Sequence, residues 1–230
     1  MQKLPLKWIN GHLFATIDKD DWLIDTGAPS SFGDVKLILQ NKAFDCPEEY
    51  MSLNAATLSE FVDHDTVGII GMDVIKGFDI LFDIPNSEII FSPGFLNLSA
   101  RNIEIDQFMD IPIVTVSIDG TTYRMFFDTG AQISYFQNES LANHPTGGIL
   151  TDFYPGFGRF QTETYYIETV LGEECHTLQY GALPDLLAMS LMMANTQGII
   201  GNKILENRTV GFSPRQRKLD LSINSHTELA

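Results

Sequence analysis

The chain has 230 residues, 44% of them hydrophobic and 11% aromatic, which is enough apolar side chain for a packed core and argues against global disorder. Thirty acidic against 14 basic residues give a formal net charge of −16, a poor surface for nucleic acid, because phosphate binding needs clustered Lys and Arg. No apolar run approaches the roughly 18 residues of a membrane-crossing helix, so no membrane partner is expected.

Residues 11–17 and 21–25 predict a hairpin with Asp18-Lys19-Asp20 as its turn. Trp22, Leu23 and Ile24 run without alternation, the pattern of a strand buried on both faces. Pro29-Ser30-Ser31 leads toward another strand. Residues 35–39 fit either a strand or a helical turn, residues 46–50 carry helix-start chemistry, and residues 52–62 suit either state. Residues 80–83 and 89–91 flank Pro85-Asn86-Ser87, a hairpin turn. Residues 93–101 join two halves, 1–100 and 101–230. In the second half, residues 113–118 and 123–127 predict a hairpin around Asp119-Gly120, and residues 138–151 read as loop. A glycine-bearing turn with aromatics follows, Phe153-Tyr154-Pro155-Gly156-Phe157-Gly158-Arg159-Phe160, and then strand-like residues 165–167 and 169–171. Residues 184–194 suit a short amphipathic helix with Leu187, Leu191 and Ala194 inward and its Met and Leu side chains in the core. Residues 218–223 predict the last strand.

Two stretches stand out against this plan. Leu23-Ile24-Asp25-Thr26-Gly27-Ala28 and Phe126-Phe127-Asp128-Thr129-Gly130-Ala131 are each a hydrophobic run ending in Asp-Thr-Gly-Ala, 103 residues apart (128 − 25). A later pair matches as well: Gly68-Ile69-Ile70-Gly71 and Gly198-Ile199-Ile200-Gly201, after which the register holds at an offset of 130, with Phe82 on Phe212, Ile89 on Leu219 and Ser92 on Ser222. Met72-Asp73-Val74-Ile75 and Asn202-Lys203-Ile204-Leu205 then stand at matching places as helix starts. One loop made twice points to an internal repeat. If the halves pack face to face, two carboxylates share a site. The glycines Gly27 and Gly130 let the backbone turn tightly beside them.

These paired motifs resemble those of the aspartic proteases, the family of pepsin and the retropepsins. The resemblance covers most of the chain and implies an all-β, bilobal fold of two retropepsin-like barrel lobes with short helices, related by a pseudo-twofold axis. Residues 1–100 would form the lobe carrying Asp25, and residues 101–230 the lobe carrying Asp128. It implies an endopeptidase in which Asp25 and Asp128 activate a water without cofactor or metal. Thr26 and Thr129 would hydrogen-bond across to the opposite loop. Ala28 and Ala131 match the retropepsin form of the motif, where pepsins more often have Ser or Thr, and Ile70 and Ile200 would pack under the loops. The terminal segments of both halves would form a sheet joining the lobes, with residues 4–6, 89–91, 103–105 and 219–223 as candidates. The partner would be a peptide or protein substrate, and the chain a monomer, since both loops already lie in one chain. The alternative from another class is a weak or inactive peptide-binding module with the same fold.

Each half carries one cysteine, Cys46 and Cys175, so neither can form a disulfide within itself, and a reducing cytoplasm is expected. The first residues show no apolar run of signal length, and no zymogen segment is expected. The halves differ in one interval. From the Asp to the second Gly of the later motif there are 46 residues in the first half (71 − 25) and 73 in the second (201 − 128). The extra length coincides with the turn at residues 153–160. It predicts a single hairpin flap from the second half, with Tyr154, Gly156, Phe157, Gly158 and Arg159 at substrate.

Overall fold

A computed structural model describes residues 1–154 and 156–221, with the backbone alone at residues 186 and 187. Strand dominates it, as the alternating and apolar runs require. Among the described residues, no helix is long and apolar enough to cross a membrane.

One sheet has ten strands, in the spatial order Ile103–Glu104, Lys218–Asp220, Thr209–Ser213, Asp79–Asp83, Glu88–Ser92, Gln2–Ile9, His12–Ile17, Asp20–Ile24, Gly68–Ile70 and Phe32–Gly33. It takes strands from both sides of residue 100, and the seam is the antiparallel pairing of Ile80 with Phe212 and Phe82 with Val210. Gln2–Pro5 pairs with residues 88–91, and Ile103 pairs with Leu219. The segments expected to form a joining sheet therefore share one; residues 222 and 223, and with them the match of Ser92 to Ser222, lie outside the described residues. A second large sheet has eight strands, all from the second half: Asp106–Phe108, Ile111–Ile118, Thr121–Phe127, Gly198–Ile200, Ser134–Phe136, Glu174–Gly181, Gly158–Leu171 and Thr146–Tyr154. The largest apolar cluster runs through both halves, from Trp22 and Ile24 through Phe82, Phe91 and Phe212 to Phe127 and Ile200.

The repeat is a repeat of structure. The strand ending at Ile24 lies parallel to Gly68–Ile70, which is antiparallel to Phe32–Gly33. The strand ending at Phe127 lies parallel to Gly198–Ile200, which is antiparallel to Ser134–Phe136. Trp22, Leu23 and Ile24 are fully buried, as their unbroken apolar run predicts. The first hairpin turns at Asp18 and Lys19, with Ile17 opposite Asp20, so Asp20 opens the strand instead of closing the turn. The helix starts predicted after each second glycine are present as Met72–Ile75 and the 3-10 turn Asn202–Leu205.

Four local expectations need correction. Residues 46–50 do not begin a helix: Glu49–Tyr50 pairs with Leu53–Asn54 in a short hairpin. The helix begins at Ala55, because Asn54 and Thr57 form a reciprocal capping box, with Asn54 Oδ1 accepting from the Thr57 amide at 3.0 Å and Thr57 Oγ1 from the Asn54 amide at 3.0 Å. Residues 138–151 are not loop. They hold a 3-10 turn, Glu139–Asn143, and the strand Thr146–Tyr154, whose register shift between Thr146 and Gly148 absorbs the glycines as a bulge. The segments 165–167 and 169–171 belong to one strand, Gly158–Leu171. The helix Asp185–Met193 buries Leu191, and Ala194, which caps its end, is buried too, as expected, but Met189, Met192 and Met193 are 61%, 78% and 77% exposed and not core. A run apolar on every side does not announce which face it will bury. The expectation for the Leu187 side chain lies outside the described residues.

Candidate active site

Asp25 follows the strand Asp20–Ile24 and Asp128 follows Thr121–Phe127. Each backbone is tied down at the aspartate itself, the Asp25 amide donating to Ile70 O at 3.1 Å and the Asp128 amide to Ile200 O at 2.9 Å. Ile70 and Ile200 are fully buried beneath the loops. The chain then turns back so that the amides of Gly27 and Ala28 both donate to Asp25 Oδ1 at 2.8 Å. The amides of Gly130 and Ala131 donate to Asp128 Oδ1 at 2.9 and 3.2 Å.

The threonines couple the two loops. Thr26 Oγ1 donates to Phe127 O at 2.7 Å and accepts from the Thr129 amide at 3.0 Å. Thr129 Oγ1 donates to Ile24 O at 2.8 Å and accepts from the Thr26 amide at 3.1 Å. Both side chains are fully buried, so each hydroxyl satisfies one donor and one acceptor that water cannot reach. Thr26→Val or Thr129→Val should therefore cost about 1–3 kcal/mol for each group left unsatisfied, read as a drop in the denaturant midpoint, whereas Thr→Ser should recover most of it. Equal stability of the Val and Ser variants would contradict that role.

The glycines fit because the opposite carboxylate stands where a side chain would. A Cβ built on Gly27 would lie 2.3 Å from the Asp128 carboxylate, and one on Gly130 2.5 Å from that of Asp25. The two carboxylates hydrogen-bond each other. Both are half-buried and line the cleft. Burial holds Asp25 above the usual carboxylate range, and burial together with the Asp25 charge holds Asp128 well above it. Like charges this close titrate as a pair sharing one proton.

The dyad lies in a cavity of about 310 Å³ with largely apolar walls. Leu23, Phe32 and Ile69 line it from the first half, and Phe126, Tyr135 and Ile199 line it at matching positions from the second. The long hairpin of Thr146–Tyr154 and Gly158–Leu171 reaches across it. Its Asp152, Phe153, Tyr154 and Phe160 line the cavity. Burial and the charges of Asp128 and Asp25 raise the Tyr154 phenol, which hydrogen-bonds Ser190. The tip rests on the first half: Phe153 stacks on Phe61 at 4.8 Å, and Arg159 donates to Glu60 O with its guanidinium 5.7 Å from the Phe61 ring.

Of the residues expected in the flap, Tyr154 is therefore in the cleft. Phe157 is exposed and Arg159 faces the helix Ala55–Val62. Gly156 and Gly158, at φ 75° and 90°, shape the turn, and Pro155 lies outside the described residues. The expectation of a single flap also needs amending. The hairpin of Glu49–Tyr50 and Leu53–Asn54 brings Tyr50, Met51 and Leu53 to the cavity wall. Its turn, Met51-Ser52, takes φ of 51° and 61° without a glycine, so no turn signal marked it.

Other participants were absent from the sequence reading. Ser31 and Ser134, each six residues after its aspartate, are fully buried and accept from the amides of Gly71 and Gly201 at 2.9 and 3.1 Å. Their matched offset within the repeat was the available signal. Tyr135, whose hydroxyl donates to Asp152, and His12, whose Nδ1 lies 3.2 Å from Gly130 O, had no such signal. Comparison with models of known protein families and with curated proteins finds no match for this chain.

Proposed function

We propose that the chain is an aspartic endopeptidase of the single-chain, two-lobed pepsin and retropepsin type, its lobes related by a pseudo-twofold axis through the dyad. One observation carries this reading: two copies of Asp-Thr-Gly-Ala, coupled by reciprocal threonine bonds, set two carboxylates in hydrogen-bond contact within an apolar cleft. One carboxylate takes a proton from a water between them as the water attacks the peptide carbonyl. The other, protonated, donates to the carbonyl oxygen as the tetrahedral intermediate forms. No covalent enzyme intermediate arises. The substrate is an extended peptide, bound by main-chain hydrogen bonds under the long hairpin. The free thiols of Cys46 and Cys175 suit a reducing cytoplasm, and burial with the charges of Asp73 and Asp45 pushes the Cys46 thiol up to about 11, away from reactivity.

Incubation with a peptide library, read by mass spectrometry, tests the reading. Cleavage should occur between apolar residues, be blocked by a hydroxyl-containing transition-state mimic and be insensitive to chelators. Binding of peptides without turnover would favour the peptide-binding module instead.

The pH dependence follows from the carboxylates. Catalysis needs one proton on the pair, and both groups titrate above their ordinary range, so activity should persist near neutral pH and the optimum should be less acidic than pepsin's. A hydroxyl at position 28 or 131 could donate to a carboxylate and favour its charged form. Ala28→Ser or Ala131→Ser should therefore move the kcat/KM profile toward acid; an unchanged or alkaline-shifted profile would contradict this.

A further inference from the structure

Along the first arm of the long hairpin, Leu150, Asp152 and Tyr154 alternate onto one side. Leu150 and Tyr154 pack against the apolar cluster of Phe126, Tyr135, Leu183 and Ile199. Asp152 stands between them, at a position where that pattern calls for a hydrophobe. It is only 7% exposed and lines the cleft. Its donors are neutral: the Tyr135 hydroxyl to Oδ2, and the Phe153 amide to Oδ1 at 2.8 Å. A carboxylate has roughly four lone-pair sites, so acceptor capacity remains.

Buried charges are ordinarily paired with a cation, because an uncompensated one is costly. Among the described residues no Lys or Arg forms an ion pair with Asp152, and none lines the cleft. His12 is the imidazole whose charge would bear on it, but burial holds His12 below its usual value and its Nδ1 faces Gly130 O. Among the described residues, the Asp, Glu, Lys and Arg side chains that line the cleft are all acids, Asp25, Asp128 and Asp152. Asp152 sits on the Asp128 side, close enough that the charges of both Asp152 and Asp128 act on the Tyr135 hydroxyl.

We propose that Asp152 makes the second-half side of the cleft a subsite for a basic side chain of the peptide substrate, lysine or arginine. The proposal rests on the endopeptidase reading above. The methylene stem of such a side chain packs against Phe126, Phe160 and Leu183, and its cationic head supplies the charge that Asp152 lacks. The enzyme then selects apolar segments interrupted by one basic residue near the cut, and not uniformly apolar ones.

The test uses quenched fluorescent peptides, apolar apart from one residue walked through each position flanking the cut. That residue is lysine, its acetylated form, or norleucine, which keeps the stem and lacks the charge. At one position the wild-type kcat/KM for lysine should exceed that for norleucine by at least ~10-fold, with acetyl-lysine near norleucine. Asp152→Asn keeps an acceptor for Tyr135 and should bring the ratio toward unity. Norleucine peptides cut as fast as lysine peptides at every position would overturn the proposal while leaving the endopeptidase reading intact. So would a lysine preference that survives Asp152→Asn, which would reduce Asp152 to an anchor of the hairpin. If no peptide of any series is cut, the endopeptidase reading fails and this proposal with it. The wild-type comparison decides even if the variant does not fold.

Discussion

Asp25→Asn and Asp128→Asn should each lower kcat by roughly 10²–10⁴-fold, because each removes one half of the proposed proton relay while an amide of the same shape keeps the loop. The same substitutions should make the folded chain more stable near neutral pH. Asp128 is held well above the carboxylate value of 3.8, chiefly by burial and then by the Asp25 charge. The folded protein therefore keeps a proton that the unfolded chain releases once the pH passes that value. The folded state loses relative stability as pH rises from there through the raised folded pKa, and none of this penalty exists below the unfolded value. Asparagine has no proton to lose. Thermal unfolding should show Asp128→Asn above wild type at pH 7, with the difference vanishing in strong acid. Full turnover in either variant would remove the mechanism, and a stability gain that is the same at all pH values would remove the electrostatic account of the site.

The second large effect belongs to the long hairpin. Deleting residues 156–159 should lower kcat/KM for peptides by about 10²-fold or more, because a lid that no longer excludes water or positions the chain forfeits orientation. The deletion removes Arg159 with its contacts to Glu60 and Phe61, and the pairs Phe153–Arg159 and Tyr154–Gly158, while residues 146–152 keep their partners in residues 160–165. Phe61→Ala, which removes the ring stacked on Phe153, should produce a milder loss through KM. The check is steady-state kinetics beside a circular-dichroism melt. A deletion variant that folds and cleaves peptides at the wild-type rate would make this an ordinary surface hairpin.

What was legible in the sequence follows from what repeats. The two Asp-Thr-Gly-Ala loops, the later Gly-Ile-Ile-Gly pairs and the hairpins leading into each aspartate are local patterns present twice, and each copy supports the other. The ten-stranded sheet was half visible, since residues 82 and 212 match in register and also pair near one another across the seam. Features that break the repeat were harder to see. The turn at Met51-Ser52 adopts a left-handed backbone without glycine, and the strand Thr146–Tyr154 contains the glycines that suggested loop. Asp152 illustrates the remaining limit. A single acid in an otherwise alternating strand reads as a solvent-facing residue until the hairpin's packing turns it inward.

The central claim is that the two loops of one chain make one hydrolytic site. Calorimetric titration with a hydroxyl-containing mimic of a cleaved peptide tests it most directly. One mimic should bind per chain, with affinity sharply reduced in Asp25→Asn and in Asp128→Asn alike. Two mimics per chain, or affinity unchanged in either variant, would contradict it.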